Sequence, residues 1–382
     1  MKKLVKNMLS VVLSVIMISV MGVSVRATTN IDDSELLDTH EDDGVPGILE
    51  KDDFESPEEY QEYLEKNPEA QIQAYAAKAS PNKTVTAKAT LKYKITGLPS
   101  TNVIQKTYIA TKYIYVVQKS GDNTFLSRCL MNGSTAVHVD HMKLTNFGHG
   151  QTLEWFEHNG TPYFWVTCKA NTAFEARWGI QIGRIKYEAG KTVDYTGITR
   201  FANLNYANRS GTSFGNIKRV DAALSSDRKK IIFWVMSTEG KIQYSFYNAD
   251  KMNSLLDKKI NETSKYVSCK DSAVKSACYS AFVQSGDNRV LPNDSCQGVE
   301  LSDGDSIYII GGNKGEIPQI AKMTGSGTSY KYSYLAKTSH TNYGKGTESE
   351  GIQLRGDYIY FGVCDKSRTD KYCIYSIPKS AF

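Results

Sequence analysis

Residues 350–361, EGIQLRGDYIYF, carry two short β-type segments with a turn between them. Glu350 opens the first segment with a polar side chain, and residues 355–357 are of the types that favour a turn. The segment after the turn, residues 358–361, is aromatic and β-branched, as is typical of a buried strand. The pattern predicts a β-hairpin whose first strand begins with a polar residue.

The same pattern occurs five times, and successive copies open 46 to 76 residues apart. In each copy a polar Gln, Glu or Asp opens a short strand, and a strongly apolar strand follows a turn. A third strand comes next, for example at residues 179–185, 242–247 and 372–377. The paired segments are 105–109 with 113–116, 151–155 with 163–166, 221–224 with 231–234, 297–301 with 307–310, and 350–354 with 358–361.

Repeated strand–turn–strand units at such spacing are typical of β-propeller blades. The sequence therefore predicts an all-β fold, a five-bladed β-propeller. A further strand at residues 85–95 would close the ring by joining the last blade, and residues 250–259 are expected to form a helix.

The polar residues that open the five copies are predicted to lie around one mouth of the central channel. They would ring a funnel that binds a ligand, or they would satisfy backbone groups where the strands converge. A loop residue just before the second copy, flanked by two glycines, would lie beside them. The candidate funnel residues are Gln105, His149, Gln151, Asp221, Gln297 and Glu350.

The N-terminus has the features of a secretory signal peptide. Three lysines lie within the first six residues, residues 8–23 are almost wholly apolar, and Val25 and Ala27 suit a cleavage site. A membrane anchor is the alternative, but the apolar run is short for a span. We expect residues 1–27 to be removed and the mature protein to be secreted, with no transmembrane segment.

Two segments of opposite charge follow. Residues 28–80 contain 16 Asp and Glu against 3 Lys, with few large apolar residues, so a mostly disordered leader is expected. It would serve as a propeptide that shields a basic domain, or as a solvated linker, with one short helix starting near Ser56. Residues 81–382, the predicted propeller, contain 39 Lys and Arg against 25 Asp and Glu. This excess of positive charge would favour an anionic partner, or it would only keep the protein soluble.

Seven cysteines remain, an odd number for an exported chain. Cys364 and Cys373 flank a polar segment that resembles a hairpin loop, so they are the first candidates for a disulfide. No Cys/His spacing matches a zinc site. We expect no metal and no cofactor.

The chain has none of the common catalytic or phosphate-binding motifs, such as GxSxG, HExxH or the P-loop. It also lacks a nucleic-acid-binding motif, so no nucleic acid partner is expected. We therefore expect no enzyme activity and no catalytic residues. One alternative stays open: two of Glu154, Asp221, Glu300 and Glu350 would form a carboxylate pair for hydrolysis of cell-wall glycans.

Several stretches, taken in order, resemble the helveticin J family, the large class III bacteriocins of Gram-positive bacteria. The chain departs from the family pattern at Leu153, where Trp is frequent, and at residues 219–221, where His-Ala-Glu is usual. The acidic segment and the signal peptide are also atypical. The resembling stretches are residues 148–154, 204–211, 221–225, 247–253, 297–301 and 350–354.

The resemblance implies a heat-labile antibacterial protein that acts on related bacteria, and it supplies no catalytic residues. The expected partner is the envelope of competing Gram-positive cells, through an anionic wall polymer, a glycan or a lipid. A lectin-like surface-binding protein without killing activity is the main alternative, and a wall hydrolase is the second.

Overall fold

The structure is a computed structural model that describes residues 62, 65, 66, 85–336 and 347–382. The predicted signal peptide, nearly all of the acidic segment and the short helix expected near Ser56 lie outside these residues. Within the described part of the chain, no helix is long and apolar enough to cross a membrane.

The described residues form an all-β fold, as predicted. Two N-terminal strands come first, and the first four-stranded antiparallel unit follows them. The N-terminal strands are β1 (Val85–Lys88) and β2 (Thr90–Thr96). The first unit consists of β3 (Ile104–Ile109), β4 (Tyr113–Ser120), β5 (Asn123–Asn132) and β6 (Thr135–Thr145).

The second and third units contain the helices and the short accessory strands. The second unit and its accessory strand are β7 (Leu153–His158), β8 (Thr161–Ala170), β9 (Gly179–Ile185), β10 (Thr192–Asp194) and β11 (Arg200–Ala202). The third unit and its insertion are β12 (Ile217–Leu224), β13 (Lys230–Ser237), β14 (Ile242–Asn248), α1 (Ala249–Asp257), β15 (Tyr266–Ser268), α2 (Ser272–Ala277) and β16 (Cys278–Gln284). The strands of the second unit pair in the order β7-β8-β9-β11, and β15 pairs with β11 at the edge of this sheet. Strand β10 pairs with β6 of the first unit.

Two further units complete the chain. The fourth is β17 (Gly298–Leu301), β18 (Ile307–Gly311), β19 (Gln319–Met323) and β20 (Tyr330–Ala336). The fifth is β21 (Thr347–Arg355), β22 (Tyr358–Asp365) and β23 (Tyr372–Pro378), with β2 as its fourth strand. Every predicted pair of strands thus occurs as the first two strands of a unit.

The first strands of the five units lie side by side in a closed cycle. β3 contacts β7, β7 contacts β12, β12 contacts β17, β17 contacts β21, and β21 contacts β3. These inner strands are mostly buried; all six residues of β3, for example, are buried. They surround a central channel that is lined by one strand from each unit.

The N-terminal strands close this arrangement. β2 pairs antiparallel with β23, with Ile95 opposite Tyr372, which confirms the predicted pairing of the N-terminal strand with the last unit. β1 pairs in parallel with β20 of the fourth unit. The N-terminal segment therefore holds the fourth and fifth units through backbone hydrogen bonds, and β1 also covers an edge strand that would otherwise be unpaired.

The core consists of apolar layers between neighbouring units. Phe201 and Phe233 meet between the second and third units, with ring centroids 5.6 Å apart. Tyr115 and Phe164 meet between the first and second, at 4.9 Å. Because each sheet packs on both faces, its middle strands are continuous apolar runs, such as IIFWV in β13. For this reason the apolar second strand of each unit was the most recognisable part of the sequence repeat.

The structure corrects the predicted Cys364–Cys373 disulfide. Both cysteines are free, as are the other five. Cys364 lies opposite Tyr372 and Cys373 lies opposite Val363, so the two cysteines are one residue out of register. Adjacent strand positions face opposite sides of a sheet. Cys373 accordingly packs in the core between the fourth and fifth units, and Cys364 packs between the fifth and first.

Candidate functional site

One end of the channel, where the inner strands begin, is filled by a hydrogen-bonded group centred on Arg219. We call it the closed end and define it by Gln151, Arg219, Asp221, Gln297 and Glu350. All five side chains are buried. Arg219 Nη2 donates to the Asp221 carboxylate at 2.6 Å and also to Gln151 Oε1. Gln151 Nε2 donates to Gln297 Oε1 at 3.0 Å. Four of the predicted funnel residues are thus brought together, but they bind one another.

Arg219 reaches across to other units as well. Its Nη1 donates to the carbonyl oxygen of Cys296 at 2.9 Å. Its guanidinium lies over the ring of Trp178, 4.1 Å from the centroid, and over Trp234 at 5.2 Å. Arginine stacks well on indole and forms planar pairs with carboxylates. Arg219 therefore joins the second, third and fourth units at the channel axis.

The electrostatics of the closed end fit a sealed interior. Burial raises the pKa of Glu350 well above its usual range, and nearby Glu348 adds to the shift while Arg219 opposes it. Burial also raises the pKa of Asp221, although Arg219 and Thr152 stabilise its charged form. Thr152 Oγ1 donates to Asp221 at 3.1 Å and accepts from the Ala222 amide at 2.9 Å.

The other two predicted residues lie beside this group. His149 is half-buried in the loop before β7, where its Nδ1 lies 3.1 Å from the Ala176 carbonyl oxygen and its ring packs 4.2 Å from Trp178. Burial lowers its pKa to about 4, so it is neutral at physiological pH. Gln105 is buried on β3, where its backbone carbonyl lies close to Gly351.

A second polar layer lies at the middle of the channel. Lys106 is fully buried, and its Nζ contacts Glu154 at 2.8 Å, Glu300 at 2.5 Å and the carbonyl oxygen of Ile352 at 2.5 Å. Each of these residues comes from a different inner strand. The ammonium group therefore ties four of the five units together at the axis.

The buried groups of this layer shift one another's pKa values. Burial alone would lower the pKa of Lys106, but attraction to Glu154 and Glu300 raises it well above its usual value. Burial raises the pKa of Glu154 well above its usual range, and the nearby carboxyl group of Glu300 adds to this shift while Lys106 opposes it. The single ammonium of Lys106 is therefore shared by two buried carboxyl groups.

A cavity lies beyond this layer, at the end where the inner strands finish. The space inside it that water can enter is about 30 Å³, and all five inner strands contribute to it. We call this region the cavity end. Its polar and aromatic lining includes Glu154, Trp155, Arg228, Glu300, Gln353 and Arg355. The structure thus places open space at the end of the channel opposite to the predicted funnel.

The residues missed by the sequence analysis are the cations of the channel, Lys106, Arg219, Arg228 and Arg355. Each of them lies in a repeat segment, within two residues of one, or in the turn between two segments. At such positions a lysine or arginine is also common on the solvent-exposed side of an ordinary hairpin. The one available signal was at Lys106, a lysine that lies two residues from Ile104 and two from Tyr108 in a predicted strand. Among the residues that the structure describes, no group of three or more His, Cys, Asp or Glu could hold a metal ion.

The channel, with two buried ionic layers and a cavity at one end, defines an all-β protein with a closed ring of sheets. The chain belongs to the bacteriocin helveticin-J family, whose sequence pattern matches residues 82–379. The resemblance noted in the sequence is thereby confirmed. No curated protein sequence matches the chain.

Solved structures with similar folds are distant in sequence. A hypothetical protein from Leishmania major is 11% identical, with 80% of this chain and 93% of that chain covered and a TM-score of 0.38. An endo-arabinanase from Bacillus licheniformis is 10% identical, with coverage of 75% and 96% and a TM-score of 0.39. An exo-β-1,3-galactanase from Phanerochaete chrysosporium is 8% identical, with coverage of 76% and 64% and a TM-score of 0.42.

Proposed function

We propose that the protein is a secreted antibacterial protein that binds the envelope of competing Gram-positive bacteria. The observation that carries this proposal is membership of the bacteriocin helveticin-J family over residues 82–379. We also propose that its five four-stranded units are the blades of a five-bladed β-propeller, in which β2 completes the last blade. The closed cycle of inner strands supports this architecture.

The charge of the domain supports an anionic target. Residues 81–382 carry 39 basic against 25 acidic residues, an excess of 14 positive charges. Gram-positive envelopes present phosphate-rich polymers and acidic lipids, to which such a surface is attracted over about a Debye length. Binding of the protein to intact cells should therefore weaken as salt is raised from 50 to 500 mM. Binding that does not change with salt would contradict an electrostatic contribution.

The carboxylates of the channel favour binding over hydrolysis. A glycosidase needs two carboxyl groups separated by about 5 Å or more, so that they flank the scissile bond. Glu154 and Glu300 instead share a hydrogen bond and the Lys106 ammonium. Asp221 and Glu350 are buried in the closed end, where Arg219 and Gln151 engage them.

A killing assay tests the proposed function. Purified proteins comprising residues 28–382 and 81–382 are added to a panel of Gram-positive indicator strains, and viable counts and membrane potential are followed. We expect killing of at least some strains. Killing by the shorter protein alone would make residues 28–80 an inhibitory propeptide. Binding to cells with no killing by either folded protein would overturn the antibacterial proposal and favour a lectin-like surface protein.

A further inference from the structure

A pair of histidines lies in contact on β6, the outer strand of the first unit and the one farthest from the channel in that unit. Nδ1 of His141 lies 3.3 Å from Nε2 of His138, and the two ring centroids are 5.4 Å apart. Both side chains are half-buried. Neither the closed end nor the cavity end includes these two residues.

A β-bulge places the two imidazoles side by side. In a regular strand, residues 138 and 141 would face opposite sides of the sheet. In β6, His141 lies opposite Ser127 and His138 lies opposite Cys129. Three steps along β6 thus match two steps along β5, and Val139 is the additional residue. Both histidines therefore face the same side of the sheet.

The residue between the bulge and His141 is held firmly. Asp140 lies opposite Arg128 and faces the other side of the sheet. Its carboxylate accepts from Arg128 Nη2 at 2.6 Å and from the Tyr187 hydroxyl at 2.6 Å. The ring of Phe125 packs edge-on against His141, with centroids 5.3 Å apart. These contacts restrict the bulge and one of the two rings, so binding of an ion would cost little conformational entropy.

The bulge lies between the two strands that cover the outer edge of β6. β2 pairs with β6 as far as Val137, and β10 pairs with it from Lys143 onward. Val139, between these two stretches, is 50% exposed. A hydrated ion can therefore approach the half-buried histidines from solvent at this edge.

The distance between the two nitrogens fits a shared metal ion better than a hydrogen bond. Hydrogen bonds donated by N–H groups have heavy-atom distances of about 2.7 to 3.2 Å. Two imidazole nitrogens bound to one tetrahedral Zn²⁺, at Zn–N distances of about 2.0 to 2.1 Å, lie about 3.3 to 3.4 Å apart. His138 Nε2 and His141 Nδ1 already have this separation. Each ring would turn by roughly 35° to point at the ion instead of at its neighbour.

We infer that His138 and His141 bind a Zn²⁺ ion through Nε2 and Nδ1, with water in the other two positions of the tetrahedron. Imidazole nitrogen is a preferred ligand of Zn²⁺, whereas Mg²⁺ and Ca²⁺ prefer oxygen ligands. In the part of the chain that the structure describes, no third His, Cys, Asp or Glu joins the pair, so two positions face solvent. The site is independent of the proposed function, because it involves neither the channel nor an envelope target.

Calorimetric titration of the tag-free 28–382 protein with ZnCl₂ tests this inference, with MgCl₂ as the control cation. We expect Zn²⁺ binding at a site that H138Q and H141Q each weaken at least tenfold, because either change leaves a single protein ligand. MgCl₂ should show no such site. H158Q is the matched control: it removes a half-buried histidine that lies 2.8 Å from Asp257, and it should bind Zn²⁺ like the wild type.

Thermal unfolding establishes that each variant is folded. If H138Q or H141Q does not fold, labelling of the wild type with diethyl pyrocarbonate, followed by mass spectrometry, decides the question without a variant. Zn²⁺ should protect His138 and His141 from labelling, and His158 should react equally with and without the ion.

Three titration results would overturn the inference. The first is no Zn²⁺ binding by the folded wild type, and the second is equal binding by the wild type and the folded H138Q and H141Q variants. The third is weakened binding in only one of these variants, which indicates an adventitious ion on a single histidine. Labelling of His138 and His141 that Zn²⁺ does not change has the same meaning. The killing assay is a separate test, so failure of the proposed function leaves this result unaffected.

Discussion

The two ends of the channel are built from the same five strands, yet one is filled and the other is open. At the closed end a buried arginine is surrounded by acceptors, Asp221, Gln151 and the carbonyl of Cys296. At the cavity end two arginines are half-buried beside empty space and an indole donor that lacks an acceptor. The side chains at the closed end therefore bind one another across units, whereas the arginines at the cavity end lie at the edge of solvent-accessible space.

The largest effect is expected at Lys106, which separates the two ends. Lys106→Met would leave Glu154 and Glu300 buried without their cation, and this should lower the free energy of unfolding by roughly 3 to 5 kcal/mol. Chemical denaturation measures the change. Lys251→Met, at an exposed position of α1, serves as the control and should stay within about 0.5 kcal/mol. A loss below 1 kcal/mol at Lys106 would contradict its role in joining the units.

Arginine substitutions compare the two ends directly. Arg219→Gln would leave Asp221 without its ionic partner and should cost roughly 3 kcal/mol of unfolding free energy. Arg228→Gln should cost less than about 1 kcal/mol, because Arg228 is half-buried. The same denaturation experiment measures both. Equal losses at the two positions would show that Arg219 does not stabilise the fold more than a half-buried arginine does.

A glycine pair tests how tightly the inner strands converge. At Gly351, with φ of +58°, an added Cβ would lie 2.8 Å from the Lys106 Cα. Gly133 has the same φ, but nothing lies within 4 Å of its Cβ position. Gly133→Ala should therefore cost about 1 kcal/mol from backbone strain alone, and Gly351→Ala roughly 2 to 3 kcal/mol. If both changes cost the same, the strands are less closely packed than described.

The smallest effect is a dependence of stability on pH at the closed end. Burial raises the pKa of Glu350 in the folded protein, so the folded state holds its proton more tightly than the unfolded state. Its contribution to stability is complete at low pH and decreases as pH rises through the raised pKa. Glu350→Gln should remove this decrease and gain about 1 kcal/mol over the wild type between pH 5 and pH 8.

Urea denaturation at each pH measures that gain, and Glu157→Gln at an exposed site is the control, which should follow the wild type. The raised pKa of Glu154 also makes stability decrease with pH, but it does so in both the wild type and Glu350→Gln. Its effect therefore cancels when the two proteins are compared. A variant whose stability falls with pH as steeply as that of the wild type would show that Glu350 is ionised in the folded state.

The strand order of the fold follows from the sequence because it depends on local patterns. The apolar segments of the repeat, turn residues such as Gly356, and the N-terminal strand that pairs with β23 are all recognisable without the structure. The positions of the polar opening residues at one end of the channel also follow from the repeat. The contacts of these residues do not follow from the repeat, because Arg219 bonds to residues more than 60 positions away in sequence.

The cavity could not be predicted for the same reason. Trp155, Arg228 and Arg355 come from three units, and each has an ordinary place in its own hairpin. The disulfide prediction was wrong because it used loop length alone, while the side on which each cysteine faces depends on a one-residue difference in register.

A crystal structure of the 28–382 protein tests most directly the claim that buried ionic groups fill the channel at one end and in its middle. We predict the Arg219 guanidinium against Asp221, Gln151 and the Cys296 carbonyl oxygen, and the Lys106 ammonium between Glu154 and Glu300. Solvent around Arg219 or Lys106, with these partners turned away, would contradict the account.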